Sequence, residues 1–315
     1  MSSSPVDCNQ DSVLPFHLAD SPVRGRVVRL SSTLDDLLGR QDYPERVNAL
    51  VAEAAVLTAL IGQLVDPGWK FSLQYHGEGA VRMIAADYLA PSVAGEPALL
   101  RAYVGMRPGV ADLEVEGPLV GGGNAYLAIL IDRGDGREPF KGMTPAIGNS
   151  LADFAEEYFR RSEQIPTKLM IASGWKANGS GRACQSGGIM IQEIPESPDA
   201  AGPDRSADGD PDGWARAVAL MSTLEVEELT GPDPATGDLV WRLFHEDRPM
   251  AGQCQPLEFG CSCSEERVRR SLSIYSAGDI TRMTNADNRV TADCQFCGAH
   301  FELDPAGLGL DAAVG

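Results

Sequence analysis

The sequence predicts an α+β protein in three parts: an N-terminal mixed α/β domain, a helical linker and a small C-terminal four-cysteine domain. Three observations carry that expectation. Short β-like runs alternate with amphipathic helical patterns as far as about Pro195. From Pro195 to Gly213 the chain then holds Pro, Gly, Ala, Ser and Asp with almost no large apolar residue, the composition of a flexible connector. Beyond it, four of the seven cysteines gather at Cys261, Cys263, Cys294 and Cys297. The expected boundaries are 1–195, 196–253 and 254–315, with 1–23 as a flexible N-terminal extension.

The elements follow in order. Arg26–Leu30 alternates as a short strand does. Ser32 or Thr33 is placed to cap a helix over Ser31–Leu38, with acidic groups in its first turn. Pro44 opens a long helix on which Val47, Leu50, Val51, Ala54, Leu57, Leu60, Ile61 and Leu64 fall on one stripe. Trp69–Tyr75 and Gly79–Tyr88 read as paired strands around a glycine-containing turn. Further strands are expected at Leu99–Val104, Asn124–Ile131, Lys168–Ser173 and Gly188–Ile194. Between them Asn149–Glu163 is a helix with Leu151, Phe154, Ala155, Tyr158 and Phe159 on one face.

In the linker, Trp214, Val218, Met221 and Leu224 sit at helical spacing on a helix that ends near Thr230-Gly231-Pro232. A second amphipathic segment runs from Asp238 to His245. Glu196–Gln253 carries 13 acidic and 4 basic residues, and with little apolar material of its own it reads as metastable.

Composition excludes several classes of function. The 315 residues carry a formal net charge of −19, whereas a phosphate backbone is bound by a basic face, so no nucleic-acid partner is expected. Aromatic residues are only 6%, too few for base-stacking platforms. The opening Met1-Ser-Ser-Ser-Pro-Val-Asp7 has neither a basic n-region nor an apolar h-region, so no signal peptide is expected. Ala54–Val65 is too short and too interrupted to span a bilayer, so no membrane partner is expected either. A cytoplasmic setting with reduced thiols is the expectation. Gly121-Gly122-Gly123 lacks the following Lys-Ser/Thr of a phosphate loop, and no nucleophile elbow or His-Glu-x-x-His occurs, so the chain does not read as an enzyme.

The cysteine spacing is the informative motif. Cys261-Ser-Cys263 and Cys294-Gln-Phe-Cys297 each can aim two sulfurs at one point, and together they complete a tetrahedral four-sulfur set that selects one Zn²⁺ per chain. Four sulfurs close such a site, so a structural rather than hydrolytic metal is expected. Arg267, Arg269 and Arg270 stand nearby to offset its negative charge. Metal-bound thiolates are the form that oxidants attack. A disulfide between cysteines one residue apart closes a small ring away from relaxed geometry, which makes it easily reduced. Loss of metal would also remove folding energy from a module too small to stand on its core. Most four-cysteine sites are nonetheless inert staples, and that reading stands beside the switch. Cys8, Cys184 and Cys254 are expected as bystanders, Cys254 being the one residue placed to substitute as a ligand, and His300 as a surface or packing residue.

These residues resemble a known family. Gly260-Cys-Ser-Cys-Ser-Glu-Glu-Arg267 with Cys294-Gln-Phe-Cys-Gly-Ala-His-Phe301 is similar to the redox switch of the Hsp33 heat-shock chaperones. Tyr158-Phe-Arg-Arg-Ser-Glu-Gln-Ile-Pro-Thr167, Gly187-Gly-Ile-Met-Ile-Gln192 and Val240-Trp-Arg-Leu-Phe-His-Glu246 extend the resemblance over about Arg24–Phe301. The extension through about Val23 and the longer acidic linker depart from it.

The resemblance implies an ATP-independent holdase that binds unfolded proteins under oxidative stress. It implies a reduced, zinc-bound form that is inactive. Oxidation would join Cys261 to Cys263 and Cys294 to Cys297, release zinc, unfold the linker and favour a homodimer. Client contact is then expected at Trp214, Val218, Met221, Leu224, Trp241 and Phe244, with apolar surface of the N-terminal domain. The rival readings are a zinc-stabilised adaptor whose four-cysteine site never opens, and a thiol oxidoreductase, which would turn over a dithiol substrate.

Overall fold

The computed structural model describes residues 8, 10–107, 119–178, 181–194 and 212–310. The chain divides into two compact units, Met1–Phe259 and Gly260–Gly315. In the first unit the elements are β1 (Ser12–Leu18), β2 (Val23–Leu30), α1 (Ser32–Leu38), α2 (Glu45–Gly62), β3 (Lys70–His76), β4 (Val81–Leu89), β5 (Ala98–Met106), β6 (Tyr126–Asp132) and β7 (Phe140–Pro145). There follow α3 (Leu151–Tyr158), a π turn (Phe159–Glu163), β8 (Thr167–Asn178), β9 (Gly181–Glu193), α4 (Gly213–Met221), α5 (Val226–Thr230), α6 (Thr236–Phe244), β10 (Pro249–Ala251) and β11 (Gln255–Phe259).

Among the described residues, ten of these strands lie in the order β7-β6-β3-β4-β5-β11-β1-β2-β9-β8, with β10 paired to β1 beside that path. Neighbours are antiparallel except β5 and β11, which run parallel through Ala98–Leu100 and Leu257–Phe259. Because successive strand residues point to opposite faces, the central strands feed two cores at once. Val13, Val28, Leu30 and Met190 enter a core with α2. Leu14, Phe16, Leu18, Val23, Val27, Ile189 and Ile191 enter a second core, on the other face, with α4–α6.

The α2 stripe lies where its spacing predicts, but the helix is buried almost all round: Ala52, Ala55, Val56, Thr58 and Ala59 are also closed to solvent. Glu53, half-buried on it, accepts from the N–H groups of Leu151 and Ala152, at 2.9 and 3.3 Å, and so adds from outside to the Ser150–Asp153 capping box of α3. Burial pushes the Glu53 carboxyl up. The cap of α1 is equally remote. Asp11, at φ 63°, accepts from the N–H of Ser31, Ser32 and Thr33 at 2.9–3.0 Å, whereas the sequence points to Ser32 or Thr33 themselves.

Four expectations need correction. Residues 12–23 are not a flexible extension: β1 is a central strand whose Val13 and Leu14 are fully buried, and it pairs with β2, β10 and β11. The cut between the last two parts falls after Phe259, because β11 hydrogen-bonds into the large sheet. The linker helices are not short of a core, since the sheet supplies one. Met221, Leu224, Leu229, Leu239, Leu243 and Phe244 bury against it, each worth roughly 1.5–3 kcal/mol relative to exposure. The single helix expected over 214–230 is instead α4 and α5, with the buried Leu224 in the turn between them. The flexible connector expected at Pro195–Gly213 lies, through residue 211, outside the described residues.

Polar contacts add to that docking. Arg29 donates to the carbonyls of Glu228 and Pro232 at 2.6 and 3.3 Å. Arg216 of α4 pairs with the buried Asp247 and donates to Ser21 Oγ at 3.1 Å. Gly187 and Gly188 show why side chains are excluded here. A Cβ on Gly187 would lie 2.0 Å from Leu229 O of α5, and one on Gly188 2.7 Å from Val56 Cγ1 of α2. Adjacent glycines thus admit a helix on each face of the sheet.

Candidate metal centre

The second unit consists of α7 (Glu265–Leu272), α8 (Ala277–Met283) and the hairpin β12 (Val290–Asp293) and β13 (His300–Leu303). Its buried apolar core is Ile280, Val290, Leu303 and Leu308, with Val268 and Leu272 packed at the edge.

Each cysteine pair is positioned by a local motif. Ser264 N-caps α7 by accepting from Arg267 N–H at 3.3 Å, which ends the Cys261–Cys263 segment at the start of a helix. Cys294–Cys297 occupies the turn of the hairpin, where Asp293 pairs with His300. There Cys294 N–H donates to Ala299 O at 2.9 Å and Gly298 N–H to Cys294 O at 2.8 Å. Gly298 takes φ 70°, a left-handed turn that side chains rarely adopt.

The four sulfurs converge. All four Sγ atoms lie within 4.8 Å of one another, with Cys261 and Cys294 at 3.7 Å and Cys263 and Cys297 at 3.4 Å. Metal–sulfur bonds of about 2.3 Å in a tetrahedron place sulfurs about 3.8 Å apart, so the set fits a metal ion. Burial, then the facing Cys297, Cys261 and Cys294 sulfurs, pushes the Cys263 thiol well up, and burial moves Cys294 the same way. Ionising such a cluster becomes favourable when a cation shares it.

The neighbouring groups sort differently from the sequence expectation. Arg269 and Arg270 pair with Glu265 and Glu266 of their own helix at 2.8 and 3.1 Å, and only Arg267 reaches the cysteine loop, donating to Ser262 Oγ at 2.5 Å. His300 is exposed and sits 2.6 Å from Asp293 Oδ1, which raises its pKa. Cys254 is joined to Cys8 in a disulfide, so it is not a bystander and in this state is not an available ligand; the 246-residue separation hides that pairing from any local motif. Cys184 is buried, and burial pushes its thiol up to about 11, an inert state.

The residues expected to meet clients are not one surface here. Met221, Leu224 and Phe244 are buried in the second core, Phe244 stacking on Phe16 with ring centroids 5.6 Å apart. Trp214 and Val218 are half-buried at its edge, while Trp241 is 60% exposed. Gly121–Gly123 is a left-handed loop whose Gly121 N–H donates to Tyr75 Oη at 2.9 Å, in keeping with a strand-to-strand connection. No helix among the described residues is long and apolar enough to cross a membrane.

Comparison with known proteins adds the following. The family described as Hsp33 protein matches residues 11–304. A 33 kDa chaperonin of Caulobacter vibrioides is 36% identical over 304 residues, covering 94% of this chain and 96% of that protein. A 33 kDa chaperonin of Methylobacillus flagellatus is 28% identical, covering 93% and 92%. The crystal structure of the 33 kDa chaperonin (heat shock protein 33 homolog) of Thermotoga maritima superposes with a TM-score of 0.70 at 18% identity, covering 94% of this chain and 96% of that one.

Proposed function

The chain belongs to the Hsp33 family of chaperones, and on that premise we propose that it is a redox-regulated, ATP-independent holdase of the cytoplasm. The observation that carries the reading is the convergence of four sulfurs in a unit with only four buried apolar side chains among its described residues. Cys261, Cys263, Cys294 and Cys297 hold one Zn²⁺ in the reduced, inactive form. The metal, held by these four sulfurs, would supply a cross-link between the α7 loop and the hairpin turn, worth about 10–16 kcal/mol in apparent terms for small zinc modules.

Oxidation joins Cys261 to Cys263 and Cys294 to Cys297. Each disulfide passes two electrons from a pair of thiolates to a peroxide-class oxidant, which takes up two protons from solvent and leaves as two waters. In the folded unit Cys261 lies 3.7 Å from Cys294 and Cys263 lies 3.4 Å from Cys297, both across the motifs. Once the unit loosens, closing a loop over one or two residues costs far less entropy than closing one over thirty, which favours the local pairs. With all four ligands consumed, the unit loses its cross-link.

Activation then exposes the second core. Release of α4–α6 uncovers Met221, Leu224 and Phe244 together with Leu14, Phe16, Val27 and Ile189 on the sheet, a contiguous apolar area for unfolded chains. Trp214, Val218 and Trp241 extend it, and two copies of the active form associate. Clients are held stoichiometrically, without turnover. The test is light scattering from a denaturing client with no nucleotide present. Suppression that appears after peroxide, at about one chain per client, and reverses with a dithiol supports the reading. Turnover of a dithiol substrate would support the oxidoreductase instead, and a peroxide-insensitive metal site would support the adaptor.

A further inference from the structure

The Cys8–Cys254 pair lies outside the four-sulfur cluster and has no part in the function proposed above. Cys8 is buried in the second core and Cys254 is half-buried at its edge. Their Cα atoms are 5.9 Å apart, a separation that a disulfide spans without moving the backbone. Their place in the chain gives the pair its meaning. Cys8 stands just ahead of β1. Cys254 stands between β10 and β11, both of which are held by β1. Those pairings are short: three residues of β10 on β1, two of β11 on β1 and three of β11 on β5. The helices α4–α6 precede them, and Cys261 follows Cys254 by seven positions.

We propose that Cys8 and Cys254 are a second thiol–disulfide couple, a covalent clasp that keeps β10 and β11 on the sheet when the linker helices leave it. The proposal rests on the oxidative switch described above. In a reducing cytoplasm the pair is a dithiol. A peroxide-class oxidant takes two electrons from it, the two thiol protons go with them, one S–S bond forms and two waters result. The same oxidant that opens the cysteine cluster thus sets a limit to the opening. The second core is uncovered, while the last strands of the large unit stay in register. Without the bond, eight strand pairings, no longer covered by α6, would have to hold that end alone.

The experiment uses the full chain after peroxide and mild warmth. Non-reducing peptide mapping with cleavage after Glu258, which separates Cys254 from Cys261, reads the bond. Amide exchange over residues 249–259 reads the clasp. The expected result is a linked Cys8–Cys254 peptide and slow exchange at 249–259 in the oxidised protein. Cys8→Ser and Cys254→Ser should each exchange at least tenfold faster there, and the double variant no faster than either single, because one bond is lost in all three. Several results would overturn the clasp: no linked peptide once Cys261 and Cys294 have been oxidised, equal exchange in wild type and variants, or effects that add in the double variant and so report lost packing. Zinc retained after peroxide would sink the switch, while a linked peptide in the same digest would still support the couple.

Discussion

Between Met1 and Phe259 the chain buries apolar side chains on both faces of one sheet, some forty residues in the α2 core alone, whereas Gly260–Gly315 buries Ile280, Val290, Leu303 and Leu308 among its described residues. The first unit is held by area removed from water, a force indifferent to oxidants. The second is too small to be held that way and depends on four sulfur atoms, which are not indifferent. On the proposed reading, an oxidisable cross-link in the unit with least core makes that unit the first to respond, before the linker helices of the large unit are released. A second contrast lies within the large unit. The α2 face is closed mainly by one 18-residue helix, with α1 and α3 beside it, while the opposite face is closed by three short helices fastened by Arg29, Arg216 and Asp247.

The strongest way to break the comparison is to remove the metal. A chelator, or Cys294→Ser, should abolish amide protection across α7, α8 and the hairpin, a loss on the order of 10–16 kcal/mol of apparent folding energy, and leave β2 and β9 protected. Protection that survives in the small unit would show that its four-residue core suffices. The converse is Phe154→Ala. Phe154 is fully buried and stacks on Tyr75, so its loss should destabilise the large unit to urea by roughly 3–5 kcal/mol and leave zinc affinity unchanged.

The second contrast is sharpened by Met221→Asp or Trp214→Asp. A carboxylate at either position should loosen α4 and give aggregation suppression before any oxidation. For Met221, loss of the buried side chain alone amounts to roughly 2–5 kcal/mol. Unchanged activity of the reduced Trp214→Asp protein would count against this placement of the client surface. Arg29→Met is a milder form of the same test. It removes charge-assisted bonds to Glu228 O and Pro232 O, about 1.5–3 kcal/mol, and should be seen as faster amide exchange in α5.

The smallest effect is a pH dependence of the small unit. The hydrogen bond that exposed His300 donates to the Asp293 carboxylate raises its pKa above the ordinary 6.5. A raised folded-state value means the contribution is complete below about 6.5 and is lost as pH rises through the raised value. An NMR titration of His300 in folded and unfolded protein checks both the direction and the window, and His300→Ala should erase the dependence.

Much of this architecture is written in local spacing. The 3.6-residue stripe of α2, the period-two run of β3, the apolar runs of β4 and β6, and the two cysteine pairs are each visible within a few turns of chain. What stays hidden is non-local. Strand β1 alternates Leu14, Phe16 and Leu18, yet Pro15 and His17 between them read as a loop until β2, β10 and β11 are seen to supply its partners. The cap of α1 comes from Asp11, twenty residues away, and the local Ser150–Asp153 capping box of α3 is supplemented by Glu53, almost a hundred away. The linker helices look short of a core because their core lies in strands at the other end of the sequence. Cys8 and Cys254 are far apart in sequence and carry no motif that would pair them.

The central claim is that oxidation of four cysteines frees the metal and creates the client surface in one event. Its most direct test records zinc release and client light scattering together, on the reduced chain, before and after peroxide under mild warmth. The account predicts that zinc leaves and aggregation suppression appears with the same time course, and that both reverse with a thiol reductant and zinc. Zinc that stays bound, or leaves with no gain in suppression, would contradict it and make the four-sulfur site a staple.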